Sequence, residues 1–301
     1  MSTPSAVGLM IGYAADSLLG DPRRWHPVAG FGRVATALER RVYDDRRAPG
    51  VLHVAVLVGG TAAVGRLAGS GTLVTAAATW AVLGGRSLDR EAAAVQALLE
   101  AGDLPGARQR LTHLVGRDTA TLDAGGVARA VVESLAENTS DAVVAPLVWG
   151  AVAGPAGLLA HRAANTLDAM IGHRSPRYER FGWAAARLDD LLNLPGSRLT
   201  AALTVALGAG RRAAVSAWRA DAGAHPSPNA GPVEAAFAGA LGIRLGGTTV
   251  YAGRVEERPV LNGSGREVAV HDVTRARRLA RRVDLGALLV GAAIAARPRR
   301  R

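Results

Sequence analysis

Cysteine and lysine are both missing from this chain of 301 residues. Without cysteine, the protein forms no disulfide, zinc-thiolate or iron–sulfur centre of its own. Without lysine, it has neither a Schiff-base residue for pyridoxal phosphate nor the phosphate-binding lysine of a P-loop. Two large classes of enzyme mechanism are therefore excluded at the outset.

Aromatic residues are also scarce, at 4%, although 49% of the residues are hydrophobic. The formal net charge is +11, and arginine supplies every basic side chain other than histidine. Few rings are present to stack on bases, the arginines are scattered through loops, and no nucleic-acid-binding motif is found. We therefore expect no nucleic-acid partner. Arginine beside apolar segments is instead typical of the cytoplasmic loops of membrane proteins.

Long apolar runs predict membrane-embedded helices. Residues 1–19 are apolar and lack the basic start of a cleaved signal peptide, so a first embedded helix is favoured. Residues 51–85 carry a single formal charge, Arg66, and each half is long enough to cross or nearly cross about 30 Å of hydrocarbon. This run predicts a helical hairpin with Arg66 at its turn. The alternative is a pair of buried core helices in a soluble protein.

The central run, residues 142–160, has no charge but contains Pro146 and the pair Gly154-Pro155. Proline breaks or kinks a helix interior, and a straight span would separate the polar clusters on either side of this run. We therefore predict a broken or re-entrant helical pair that returns the chain to the same side of the membrane.

The remaining segments predict amphipathic cytoplasmic helices at residues 31–43, 87–100 and 103–114. A small-residue helix over 233–245 is expected to end at Gly246-Gly247, and 251–270 is the one place where strands or an irregular loop are plausible. A last apolar helix, 285–296, precedes a basic, cytoplasmic tail. The predicted fold class is mainly α: a multi-pass helical membrane protein forming a single domain over residues 1–301.

Polar side chains gather between residues 133 and 200, where most of the neighbouring sequence is apolar. The polar runs are Glu137-Asn138-Thr139-Ser140-Asp141, Asn165-Thr166-Leu167-Asp168, Arg187-Leu188-Asp189-Asp190 and Asn193-Leu194-Pro195. Spacings of three or four residues place pairs of these side chains on shared helix faces. The pairs are Glu137 with Asp141, Asn165 with Asp168, Asp189 with Asn193, and Arg187 with Asp190.

Carboxylates and amides at this density suit a hard cation such as Mg²⁺, which usually bridges to substrate phosphates. Arginines that could hold phosphate or carboxylate through paired hydrogen bonds are Arg162, Arg174, Arg177 and Arg187. The same spacing fits a network of salt bridges and caps that holds apolar helices in register, with Arg187 paired to Asp190. His26, between Trp25 and Pro27, fits a structural loop residue better than a ligand. By spacing alone, a site and a structural network are equally supported.

These runs, taken with several others, resemble the CobD/CbiB family of cobalamin biosynthesis. The further motifs are Gly20-Asp21-Pro22, His26-Pro27-Val28 with Gly32-Arg33, Ala145-Pro146-Leu147, Ala169-Met170-Ile171-Gly172, Tyr178, Phe181-Gly182-Trp183-Ala184, and Ser227-Pro228-Asn229-Ala230-Gly231 with Glu234-Ala235. The resemblance extends from about residue 16 to residue 253, which is most of the chain, and so many ordered motifs make it specific.

The resemblance implies a multi-pass protein of the cell membrane whose active face is cytoplasmic. It implies adenosylcobinamide-phosphate synthase activity, a carbon–nitrogen ligation of a propionate of adenosylcobyric acid with (R)-1-amino-2-propanol or its O-phosphate. ATP and Mg²⁺ are the expected cofactors. A pyridoxal-phosphate decarboxylase that shares a name with this family is excluded, because the chain has no lysine.

Within the resemblance, roles for single residues are hypotheses. The predicted catalytic residues are Glu137, Asp141, Asp168, Asp189 and Asp190, of which Asp168 and Asp190 are the predicted metal ligands. The predicted substrate-binding residues are Asn138, Asn165, Arg174, Arg187, Asn193 and Asn229. Expected partners are the two substrates, membrane lipid and other enzymes of the corrin pathway. The rival interpretation is a non-catalytic, AmpE-like membrane sensor or scaffold, and the intact acids favour the enzyme.

Overall fold

The computed structural model describes residues 3–21, 27–173, 175–251 and 254–297. The chain is mainly helical, as predicted. It folds into two compact units, which are described separately. Unit 1 comprises Met1–Gly84, Asp141–Gly196 and Ala287–Arg301, and unit 2 comprises Gly85–Ser140 and Ser197–Gly286. The expectation that the whole chain forms a single domain stays a prediction.

Helices account for most of the described residues. They are α1 (Thr3–Leu19), α2 (Pro27–Val42), α3 (Arg47–Leu67), α4 (Thr72–Val82), α5 (Gly85–Glu100), α6 (Leu104–Leu111), α7 (Ala124–Thr139), α8 (Ala145–Leu167), α9 (Trp183–Leu207), α10 (Arg211–Asp221), α11 (Ala230–Leu241) and α12 (His271–Ala296). The strands are β1 (Leu245–Tyr251) and β2 (Arg254–Leu261). Two π-helical segments, Ser140–Val144 and Asp168–Gly172, directly follow α7 and α8.

In unit 1, α1 packs along α4, and both α3 and α4 pack against α8. Small residues allow the first of these approaches: a β-carbon placed on Gly8 would lie only 2.6 Å from Cβ of Thr75. Both helices of the predicted hairpin are present, and Arg66 lies in the last turn of α3, next to the connection. The helices of this unit therefore converge on α8.

The α8 helix turns back on itself at Gly154, whose φ of 65° and ψ of −149° are not helical. A β-carbon placed on Gly157 would lie 2.3 Å from the backbone oxygen of Trp149, eight residues earlier. In a straight helix those residues would be about 12 Å apart along the axis. The break predicted at Gly154-Pro155 is thus present. Pro146 does not break the helix, because it lies in the first turn, where no intrahelical N–H is needed.

Two helical runs are long and apolar enough to cross a membrane by length and composition, α3 and the run Ala124–Gly172. The second run contains the reversal at Gly154, so it is not one straight span. The predicted multi-pass arrangement stays a prediction.

In unit 2, α11 is central, and all of its residues are buried. It ends at Gly242, which adopts a left-handed conformation with φ of 67°. The predicted end at Gly246-Gly247 is therefore wrong, because these glycines belong to strand β1. That strand pairs antiparallel with β2, so the predicted strand region begins earlier than expected. Two arginines of α12 donate to Asp89 of α5: Arg277 Nε to Oδ1 at 2.9 Å and Arg281 Nη2 to Oδ2 at 2.6 Å.

Candidate functional site

Unit 1 brings together the polar residues of α8 and α9. Asn165 Nδ2 donates to Asp189 Oδ1 at 3.3 Å, and His161 Nε2 lies 2.8 Å from Asn193 Oδ1. The charge of Asp168 acts on Asp189 from the π-helical segment that follows α8. Two pairs predicted from spacing, Asn165 with Asp168 and Asp189 with Asn193, thus meet in one group. We call His161, Asn165, Asp168, Asp189 and Asn193 the α8–α9 cluster.

Asp189 is a buried acid of this cluster with a raised pKa. Only 8% of the residue is exposed. Burial, and then the charge of Asp168, raise the pKa of Asp189 to about 7. A hydrogen bond from Asn165 opposes this shift. A carboxyl group that exchanges its proton near neutral pH is suited to acid–base chemistry or to holding a cation.

Asp190 has different surroundings from its neighbour. It forms an ion pair with Arg187 at 3.7 Å, with both side chains partly exposed. Burial raises the pKa of Asp190, and Arg187 opposes that shift. The salt bridge between Arg187 and Asp190, which was one of the two interpretations of the spacing, is therefore present beside the α8–α9 cluster.

Asp141 lies in unit 1 near a second feature, an apolar cavity that contains an arginine. Asp21 and Asp141 both act electrostatically on Arg162. Arg162 lines a cavity of about 150 Å³ whose other walls include Phe31 and Leu159. Within the described residues, its buried Nε atom has no hydrogen-bond partner. The cavity therefore has one buried guanidinium among apolar walls, and Asp21 and Asp141 partly balance its charge.

Unit 2 contains a second group of buried acids, which we call the α7–α11 cluster: Arg117, Glu133, Glu137, His225 and Glu234. Arg117 donates to Glu133, whose Oε1 also accepts a hydrogen bond from Gly246 N at 2.9 Å. Only Glu137 of this group was singled out as a site residue. Glu133 lies four residues before Glu137 in α7, so helical spacing could have identified it.

Glu234 and His225 face each other inside this cluster, with Glu234 Oε1 4.0 Å from His225 Nε2 and both side chains at least nine-tenths buried. Burial, and then Glu133 and Glu137, raise the pKa of Glu234 well above its usual range. Ser227 N donates to His225 Nδ1 at 3.1 Å, and in the tautomer that accepts this bond a neutral ring carries its proton on Nε2. Within the described residues that Nε2 has no hydrogen-bond partner. The His225 ring and the Glu234 carboxyl group could therefore both contact the same bound group.

The other predicted site residues are placed as follows. Asn138 Nδ2 donates to Ser134 O at 2.9 Å within its own helix. Asn229 Oδ1 accepts from Ser197 Oγ at 2.8 Å and from Arg198 Nη1 at 3.1 Å. Both asparagines and Glu137 belong to unit 2, whereas the predicted aspartates belong to unit 1. Arg174 and His26 lie outside the described residues.

The acids of the α8–α9 cluster fit only part of a metal site. Among the residues that the structure describes, no group of three or more histidine and acidic side chains is arranged to hold a metal ion. Mg²⁺ is commonly bound by one or two carboxylates, with water and substrate phosphates completing the shell. Asp168 and Asp189 fit that mode, because their mutual repulsion is the situation that a bound cation relieves.

The comparison with known proteins covers both clusters. The family model described as CobD/CbiB protein matches residues 9–280. The chain belongs to the CobD/CbiB family. The resemblance inferred from the motifs is therefore confirmed, and with it a place in cobalamin biosynthesis.

Curated relatives of this CobD/CbiB protein align along almost its whole length. A protein of Mycobacterium tuberculosis named "Cobalamin biosynthesis protein CobD" is 52% identical, covering 98% of this chain and 97% of the relative. Proteins of the same name from Rhodobacter capsulatus and Rhizobium meliloti are 45% and 42% identical, covering 95% and 92% of this chain and 96% and 92% of the relatives. No solved structure matches.

Proposed function

We propose that this CobD/CbiB protein is an adenosylcobinamide-phosphate synthase. It joins a propionate of adenosylcobyric acid to (R)-1-amino-2-propanol or its O-phosphate, forming an amide. The observation that carries the proposal is the family match over residues 9–280, within which both acid clusters lie. The clusters support it because ligation of a carboxylate to an amine requires both proton transfer and neutralisation of phosphate charge.

The amine enters as an ammonium ion and must lose a proton before it can attack. Two buried carboxyl groups with a raised pKa are the candidates to receive that proton, Asp189 in unit 1 and Glu234 in unit 2, because an ionised carboxylate with a raised pKa is a stronger base than an ordinary one. In unit 2, His225 Nε2–H, which has no partner within the described residues, would orient the group that Glu234 deprotonates. The amine nitrogen then bonds to the carbon of an acyl phosphate made from ATP. The carbon–oxygen bond breaks, phosphate leaves with the electron pair, and the nitrogen loses its second proton.

Asp168 and Asp189 are the residues that would hold Mg²⁺, which when bound neutralises charge on the transferred phosphate. Asp189 replaces Asp190, which was the ligand hypothesised with the family resemblance, because Asp190 is paired with Arg187. Asn165 keeps Asp189 oriented through its hydrogen bond. Arg162, Arg187 and Asn229 remain candidates for contacts with the anionic parts of the substrates.

The same proposal places unit 1 in the cell membrane, with the active face cytoplasmic. Large apolar side chains are exposed on its helices, among them Leu18 and Leu19 of α1 and Leu67 of α3. Contact with lipid would remove the unfavourable exposure of these groups to water. The two arms of α8 would then form a re-entrant pair, with the reversal at Gly154 inside protein and not in lipid.

A ligation assay tests the proposal. The detergent-purified protein is incubated with adenosylcobyric acid, ATP, Mg²⁺ and either amine, and the products are identified by mass spectrometry. We expect an amide product that is lost when Mg²⁺ is chelated. The variants Asp189→Asn and Glu234→Gln should each lose about 100-fold or more in rate, whereas Asp190→Asn should lose less.

The matched control is Glu267→Gln, an exposed acid paired with Arg244, which should keep wild-type activity. Absence of product from folded wild-type protein with either amine would contradict the synthase and favour the AmpE-like sensor or scaffold. Full activity of Asp189→Asn would leave the synthase standing and refute the role given to that residue.

A further inference from the structure

A groove in unit 2 is lined by three arginines of α12. Arg275, Arg278 and Arg282 border a space of about 150 Å³. Its other walls are small or apolar residues at the ends of α9 and α11 and one leucine of α12: Gly208, Ala209, Ala240, Leu241 and Leu279. Cationic groups therefore surround a partly apolar depression, and none of these residues belongs to the two acid clusters.

The arginines of α12 differ in whether the protein itself provides them with an acid. Arg277 and Arg281 both bind Asp89, and Arg275 binds Asp272 at 2.7 Å. Arg278 and Arg282 are exposed, and within the described residues neither has a hydrogen bond or ion pair. Each guanidinium carries five N–H donors in a planar fork that matches phosphate. The groove thus presents two such forks to an external anion.

An apolar residue continues the same face of the helix. Arg275, Arg278, Arg282 and Leu285 follow one another at spacings of three, four and three residues, which places them on one side of α12. Leu285 is 52% exposed. From Arg278 to Leu285 the helix rises about 10 Å. That distance is similar to the thickness of the headgroup layer on one side of a bilayer, about 5–8 Å.

We propose that this groove binds the headgroup of an anionic phospholipid, with Arg278 and Arg282 contacting the phosphate and Leu285 the first part of an acyl chain. A soluble phosphate would use the same guanidinium groups but would gain nothing from the exposed leucine. The proposal rests on the membrane location proposed above and is independent of the ligation chemistry.

Binding of a short-chain lipid to the full-length protein in detergent tests the inference. Dioctanoyl phosphatidylglycerol is titrated while thermal unfolding is followed, and dioctanoyl phosphatidylcholine and inorganic phosphate are titrated in parallel. We expect saturable stabilisation by phosphatidylglycerol alone. The double variant Arg278→Gln/Arg282→Gln should bind it about 30-fold more weakly, since each arginine near an anionic headgroup accounts for about five-fold. Leu285→Ser should weaken it by a smaller factor.

The matched control is Arg211→Gln/Arg212→Gln, which removes the same charge from two exposed arginines of α10 that do not line the groove. It should keep wild-type affinity. If the control variant lost as much affinity for phosphatidylglycerol, the lipid would be held by general electrostatic attraction and not by the groove. If inorganic phosphate stabilised the protein as much as phosphatidylglycerol does, the groove would be a site for soluble anions. Unchanged affinity in Arg278→Gln/Arg282→Gln would also overturn the proposal. None of these measurements depends on ligase activity, so either proposal can fail without the other.

Discussion

Large apolar side chains are exposed far more often in unit 1 than in unit 2. Of the 19 that are exposed in the described part of the chain, 16 lie in unit 1 and three, Leu207, Val260 and Leu285, lie in unit 2. Exposing such groups to water is unfavourable by about 25 cal/mol per Å², whereas lipid tails accept them readily. The surface of unit 1 therefore suits lipid and that of unit 2 suits water, although each unit is built from separate stretches of one chain.

Buried acids differ between the units in a related way. In unit 2, Asp272 is fully buried, and burial would raise its pKa. Hydrogen bonds from Arg266, Ala269 and Arg275 outweigh burial and lower the pKa of Asp272 to about 2. In unit 1, Asp189 is buried beside Asp168, and its pKa rises to about 7. One acid is a structural anchor, whereas the other is held in an unfavourable state that a substrate or cation would relieve.

The largest expected effect on stability concerns Asp189. An acid with a raised folded pKa is protonated in the folded state and ionised in the unfolded state between pH 4 and 7, so stability falls as pH rises through that window. The contribution amounts to about 4 kcal/mol. The variant Asp189→Asn should not lose stability as the pH rises, so it should be more stable than wild type at pH 8 but not at pH 4. It should also lose ligase activity. Chemical unfolding in detergent measures the difference in unfolding free energy between variant and wild type at both pH values. An equal difference at pH 4 and pH 8 would refute the raised pKa of Asp189.

A smaller loss is expected when the anchor of unit 2 is removed. Asp272→Asn leaves Arg266 and Arg275 without their buried carboxylate and should destabilise the protein by about 3 kcal/mol at neutral pH. The loss should shrink only below about pH 4, because the wild-type carboxylate keeps its charge until its own low pKa is approached. Unfolding curves against pH check this, with exposed Glu267→Gln as the control. A loss as small as that of the control would mean that the arginines find other partners.

The smallest effect on stability is expected at the exposed apolar surface. Leu67→Asn in unit 1 and Val260→Asn in unit 2 each alter a side chain that is largely exposed, at 87% and 49%. Both should change the free energy of unfolding in detergent by less than about 0.5 kcal/mol. Only Leu67→Asn should weaken partitioning into phosphatidylcholine vesicles, as measured by flotation. Equal partitioning of the two variants would contradict the assignment of different solvents to the two units.

Local features of the fold were predictable where the signal lies within a few residues. The amphipathic pattern over residues 31–43 and 87–100 corresponds to α2 and α5, and the pair Gly154-Pro155 marks the reversal of α8. The end of α11 was misplaced, because either Gly242 or Gly246 can stop a helix in the left-handed conformation. Only packing of the following strand selects between them.

The sequence by itself determined the family, the mainly helical fold, and polar pairs on a shared helix face such as Arg187 with Asp190. Only the tertiary structure decided which acids lose their water and which receive an arginine. Asp189 and Asp190 are neighbours, yet one is buried beside Asp168 and the other binds Arg187. Glu133 accepts a hydrogen bond from the backbone N–H of Gly246, which lies 113 residues later in the chain. Burial and charge pairing depend on such distant contacts, so the proton affinity of an acid follows from the packing and cannot be obtained from residue spacing.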